Sequence, residues 1–200
     1  MMRLVLATGN RGKLAEMREV LADLDCDLVA QSDLGVVDAE ETGFTFVENA
    51  LIKARHACHT TGLPALADDS GLIVPALNGA PGLITAHYAG VHGDAPRNIA
   101  RLLAEMQGFE GMQRRATFYC VIVFLRHAMD PEPLIAEGRW SGTILTAPRG
   151  TGGFGYDPVF FDPLAQQSAA ELPASIKNAR SHRGLALVSL KQQLLHRKET

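Results

Sequence analysis

RLVLATGNRGKLAEMREVLADL, residues 3–24, opens with the short apolar run Arg3–Ala7, breaks at Thr8-Gly9-Asn10, and from Gly12 places Leu14, Met17, Leu21 and Leu24 at helical spacing. An apolar run of this length reads as a buried strand, and the spacing behind it gives a helix one apolar face. The chain therefore begins strand, polar turn, helix.

The reading extends outward from there. Leu28–Ala30 fits a second short strand, ahead of the acidic stretch Asp38–Glu41. Thr45 and Glu48 match a capping box, and the helix they open should run to about Thr60, where Gly62 and Pro64 close it. Ala65–Ala67 and Leu72–Val74 read as strand pieces separated by a tight Asp68-Asp69-Ser70-Gly71 turn. Asp94 and Pro96 start a helix through Met106, with Ile99, Leu102, Leu103 and Met106 on its apolar side. Ala116–Leu125 is the longest β-type run. After the Asp130–Pro133 turn its expected partner is Leu134–Leu145, broken near Gly138 and Gly142. A glycine-rich loop covers Gly150–Asp157, and a last helix from Ser181 is expected to carry Leu185, Val188 and Leu195 inward. Mixed helices and partly antiparallel strands predict an α/β fold around a long mixed sheet.

With 200 residues, 46% of them hydrophobic, the chain can bury a core as one domain spanning residues 1–200. A net charge of −3 argues against a broad nucleic-acid surface, which needs a basic excess. The first apolar run is too short for a signal peptide, and no run approaches the roughly 18–20 apolar residues of a membrane span. Cys26, Cys58 and Cys120 are scattered and odd in number, so they supply neither a disulfide framework nor a metal clip. A cytoplasmic protein is expected.

Four polar clusters interrupt the apolar scaffold, all at the ends of expected elements. Thr8-Gly9-Asn10-Arg11-Gly12-Lys13 places backbone N–H groups, two side-chain donors and an ammonium at a helix start, which suits phosphate; the plain alternative is a Gly/Asn turn. Asp68-Asp69-Ser70 offers adjacent carboxylates that repel unless a cation or donor relieves them. Hard cations such as Mg²⁺ take carboxylate and phosphate oxygens together; the alternative is a solvated turn. Glu40-Glu41 is a similar, weaker pair. Gly150–Pro158 combines close backbone approach with the aromatic faces of Phe154 and Tyr156, or is a flexible hairpin loop. Lys177 is followed by Ser181-His182-Arg183 at a helix start, where Ser181 as an ordinary N-cap is the plain account; His182 and Arg183 in the first turn run against the dipole preference, which suggests an anionic or acceptor-rich partner.

In this order, LATGNRGK, ETGFTFVENALIKARHA, ADDSGL, GTGGFGYDPVF and SHRG resemble the inosine triphosphate pyrophosphatase family, bacterial type, from Val5 to about Leu190. The resemblance implies an elongated mixed sheet flanked by helices in two lobes, a homodimer, and hydrolysis of ITP, dITP and XTP to monophosphate and pyrophosphate. It implies that Thr8, Gly9, Asn10, Arg11, Gly12 and Lys13 hold the triphosphate and that Asp69 is the catalytic base. Glu40 would join Asp69 around Mg²⁺, with Glu41 in its place if the register differs by one. Ser70 would touch substrate, and Phe154, Gly155, Tyr156, Asp157, Lys177, His182 and Arg183 would surround the purine. The partner implied is a small nucleotide, with neither nucleic acid nor membrane. Two positions depart from the family pattern: His87 stands where Arg is common, and Ile176 where Glu is common. A Maf-like pyrophosphatase acting on dTTP, UTP or modified pyrimidines is the competing reading.

Overall fold

The computed structural model describes residues 2–24 and 26–197, without the side chains of Met2 and Arg11. Its opening is the expected one: strand β1 (Met2–Leu6), helix α1 (Arg11–Val20) and strand β2 (Cys26–Ala30). Met17 and Leu21 of the predicted stripe are fully buried, with Leu14 and Leu24 packed beside them. Helix α2 (Phe46–Thr61) starts at Thr45, whose hydroxyl accepts the Glu48 N–H, and stops at Gly62 in the left-handed conformation at φ 68°.

The remaining strands are β3 (Ala65–Ile73), β4 (Arg115–Leu125), β5 (Leu134–Ile144), β6 (Phe160–Asp162) and β7 (Gln167–Ser168), with helices α3 (Ala95–Glu105), α4 (Ala174–Arg180) and α5 (His182–Arg197). The seven strands form one sheet in the order β2-β1-β3-β4-β5-β6-β7. β1 pairs in parallel with both β2 and β3, while β6 pairs antiparallel with β5 and β7, so the sheet is mixed, as expected.

Three expectations need correction. Asp68-Asp69-Ser70-Gly71 is no turn: it lies inside the continuous strand β3, where pairing and buried cations outweigh the low β-propensity of Asp and Gly. β5 is likewise unbroken. A Cβ at Gly142 would lie 2.6 Å from the Phe160 ring, so the glycine admits β6 closely instead of ending the strand. Leu185, Val188 and Leu195 of α5 point outward, and Ala186, Leu187 and Leu190 are buried instead. The short helix α4 was not expected at all.

The chain forms two compact units, with Met1–Asp69, Cys120–Gly138 and Arg183–Thr200 in the first and Ser70–Tyr119 and Arg139–His182 in the second. The first is centred on Leu4, Leu6, Met17, Leu66, Ile122 and Leu187. The second is centred on Leu72, Leu102, Phe118, Trp140, Tyr156 and Phe160. At about 25 cal/mol per Å² of apolar area, these buried side chains supply most of each unit's stabilisation.

Candidate active site

In the first unit the turn between β1 and α1 is built on Asn10. Its extended backbone and Oδ1, which accepts the N–H groups of Gly12 (2.9 Å) and Lys13 (3.1 Å), make it the N-cap of α1. Thr8 Oγ1 accepts the Asn10 N–H at 3.2 Å. Amides that the sequence offers to an anion are thus held by side chains of the same loop, and a phosphate would share or take over those bonds. The predicted Arg11 side chain lies outside the described residues. Lys13 is tied down rather than free on the helix: its Nζ sits 2.9 Å from Asp68 Oδ2.

Because Asp68 and Asp69 lie on a strand, their side chains leave on opposite faces. This separates charges that a turn would have crowded together. Asp68 accepts from Lys13 and from Nε and Nη2 of Arg183, both at 3.3 Å. Burial pushes its carboxyl up, but the charges of Lys13, Arg183 and Lys53 outweigh it and hold it well below the usual carboxylate range. Arg183 also donates to Glu16, one turn beyond Lys13 on α1. Its place in the first turn of α5, unfavourable against the helix dipole, is thereby offset by two carboxylates of the protein itself.

On the other face, Asp69 Oδ1 accepts from Lys53 Nζ at 2.9 Å, and the same ammonium lies 3.2 Å from Glu41. Asp69 Oδ2 is buried and has no hydrogen-bond partner among the described residues. Burial raises the Asp69 carboxyl, with Lys53 opposing and Glu41 adding to the rise. Lys53 is missing from the sequence-derived set. It lies on the buried side of α2 between Ala50 and Ala57, and a lysine on an alanine stripe needs a partner. That was the available signal. Glu40, the expected companion of Asp69, and Glu41 are both exposed, and it is Glu41 that shares Lys53 with Asp69.

The second unit holds the glycine-rich loop. Gly150, Gly153 and Gly155 take positive φ, and a Cβ on Gly153 would overlap the Asp157 carboxylate. Asp157 Oδ2 accepts the Phe154 N–H at 2.8 Å and Lys177 Nζ at 2.7 Å. That ammonium also lies 4.6 Å from the Phe154 ring centroid, within cation–π range. Phe154, Asp157 and Lys177 therefore form one group. Tyr156 does not join it: the ring is buried in the core, and its hydroxyl donates to the Thr85 carbonyl at 3.0 Å. His182 stacks on Phe118, 4.8 Å between centroids and 11° from parallel. Ser70 follows Asp69 on β3, half-buried. His87 is exposed and stacks with His92.

The donor set of the first unit fits a hard divalent cation. A buried carboxylate oxygen without a partner, with a second carboxylate bound to the same lysine, is the oxygen chemistry magnesium prefers. Among the described residues no three His, Cys, Asp or Glu side chains form a complete metal cage. An ion here would draw its other ligands from phosphate and water, which is magnesium's habit and unlike structural zinc.

The chain is similar to known proteins over nearly its whole length. Residues 4–193 match the model of the Ham1 family. The dITP/XTP pyrophosphatase of Xanthomonas campestris pv. campestris (strain 8004) is 62% identical, covering 97% of this chain and 98% of that one. That of Halorhodospira halophila is 59% identical over 96% of each. Among solved structures, a HAM1 protein from Coxiella burnetii superposes with a TM-score of 0.92 at 50% identity, covering 98% of this chain and all of that one.

Proposed function

The chain belongs to the Ham1 family, and on that premise we propose that it hydrolyses noncanonical purine nucleoside triphosphates (ITP, dITP and XTP) to the monophosphate and pyrophosphate. One observation carries the chemistry: Asp69 has one carboxylate oxygen held by Lys53 and the other buried without a partner. A carboxylate so oriented can accept the proton of a water attacking the α-phosphorus.

Asp69 and Glu41 would hold Mg²⁺, with Glu40 the neighbouring alternative, and the ion when bound would neutralise charge on the leaving pyrophosphate. Lys13, fixed by Asp68, and the Thr8–Lys13 loop take the phosphates. Ser70, Phe154, Gly155, Asp157, Lys177 and His182 take the sugar and base, the Phe154 face stacking and Lys177 donating to the 6-oxo group. Adenine carries a donor there, and a site built on such bonds rejects the wrong base by about 10⁴-fold. Tyr156 supports the loop from beneath, and Arg183 acts by orienting Asp68. Residues 1–200 serve as one catalytic domain, as a homodimer in the cytoplasm and without a nucleic-acid partner. Among the described residues no helix is long and apolar enough to cross a membrane.

The test is a nucleotide panel of ITP, XTP, GTP, ATP, dTTP and UTP, with pyrophosphate and orthophosphate read separately. Activity should favour ITP and XTP, release pyrophosphate in one step, vanish with EDTA and return with Mg²⁺ or Mn²⁺. IDP with orthophosphate would refute the site of attack, and full activity in chelator would refute the metal. Nothing observed favours the pyrimidine alternative, and a dTTP or UTP preference would reinstate it.

A further inference from the structure

We infer that Arg180, through its ion pair with Asp162, is a positioning residue that presets Lys177 and His182 for base recognition; this rests on the base assignment proposed above. Helix α4 has only seven residues and no side-chain cap at Pro173. A helix that short does not persist by itself in water, so tertiary contacts must hold it. Lys177 and Arg180, at i and i+3, share one face, and each meets a carboxylate: Lys177 meets Asp157 at 2.7 Å, and Arg180 meets Asp162 at 2.9 Å through Nε and 3.2 Å through Nη2.

The two anchors differ in what else they must do. Asp157 and Lys177 belong to the group that would meet the base. A base accepting from Lys177 would share its ammonium with the pair that ties this face of α4 down. Asp162 lies outside that group, with its side chain 1% exposed. Besides the fork of Arg180 it accepts Trp140 Nε1 at 3.0 Å, Leu164 N–H at 2.8 Å and Ala165 N–H at 3.2 Å. Trp140 packs on Phe118 and Phe160, and Phe118 carries the stacked His182 ring. The Arg180–Asp162 pair thus ties α4 to the same aromatic cluster that orients His182. With it in place, Lys177 can turn toward a base without releasing the helix. Without it, the Lys177–Asp157 pair holds this face of the helix while the same ammonium also serves the base.

Arg180 is partly exposed, but its partner Asp162 is buried, so a modest fall in Tm accompanies its substitution and the discrimination between bases is the readout that decides. The full-length Arg180→Gln and Arg180→Lys variants would be assayed with Mg²⁺ on ITP, XTP and ATP, alongside thermal melting. Arg180→Gln should lower kcat/KM for ITP and XTP by about 10-fold, almost wholly through KM, and leave ATP unchanged, so that discrimination narrows by the same factor. Arg180→Lys, which keeps the charge but loses the fork, should fall between. A lower Tm with discrimination intact, an equal loss on all three nucleotides, or no change would each overturn the inference. A wild type that does not prefer ITP over ATP would overturn the base assignment, and the inference with it.

Discussion

Replacing Asp68 by Asn keeps the side chain's size and removes its charge from among three groups. The carboxylate is fully buried; Arg183 is 3% exposed and Lys13 16%. Removing one partner of a buried ion pair costs about 3–5 kcal/mol, because the charge left behind remains desolvated. Here the loss belongs at the lower end, about 3 kcal/mol, since Arg183 keeps Glu16 and Lys13 can reach water. In a domain of this size each kcal/mol moves Tm by about 2–4 °C, so Asp68→Asn should melt about 6–12 °C below the wild type. Arg183→Met should cost a similar amount. The double variant deletes both charges, so its loss should be smaller than the sum of the singles by about 1–3 kcal/mol. Urea unfolding of the four proteins at pH 7, followed by circular dichroism, measures this coupling directly. Additive losses, or an Asp68→Asn Tm within about 2 °C of the wild type, would mean that the pair contributes no net stability.

Lys53→Met should preserve packing along α2 yet lower kcat by about 100-fold, because Asp69 loses the group that orients it; an unchanged kcat would restrict Lys53 to charge balance. For Asp162, burial raises the carboxyl, but hydrogen bonds from Arg180, Trp140 and two backbone N–H groups outweigh it and lower the pKa. A carboxyl lowered by folding stabilises the native state above its unfolded value of about 3.9, and that stabilisation fades as pH falls through the folded value. Melting curves from pH 7 down to pH 3 should therefore fall more steeply for the wild type than for Asp162→Asn, and parallel curves would contradict the shift. Tyr156→Phe removes one buried hydrogen bond and should cost about 1 kcal/mol in a melt while leaving the ITP-to-ATP ratio of kcat/KM unchanged. A changed ratio would return Tyr156 to the substrate.

Much of this molecule is legible in its residues. The strand–turn–helix opening, the Thr45 cap with Gly62 at the far end, and the apolar side of α3 follow from local chemistry, since each depends on residues within a turn or two of one another. The failures are equally local in origin. Asp, Ser and Gly at 68–71 suggest a turn when judged by propensity, but β3 is stabilised by flanking strands and by cations at positions 13, 53 and 183. On α5, Leu185-Val188-Leu195 and Leu187-Leu190-Leu194 are both helical stripes, and periodicity cannot choose between them. The cluster of Cys120, Ile122 and Phe124 selects the second. Helix α4 is too short to show a period, and its anchors lie in other elements.

The sequence by itself determined the elements, the polar clusters at their ends and, through five ordered motifs, the family. Only the tertiary structure decided which charge meets which. It separated Asp68 from Asp69 across a strand, gave the first Lys13 and Arg183, and gave the second Lys53. The physical reason is that propensity and periodicity act over a few residues, whereas burying a charge requires a counter-charge from wherever the fold brings one, here as far along the chain as Arg183 is from Asp68.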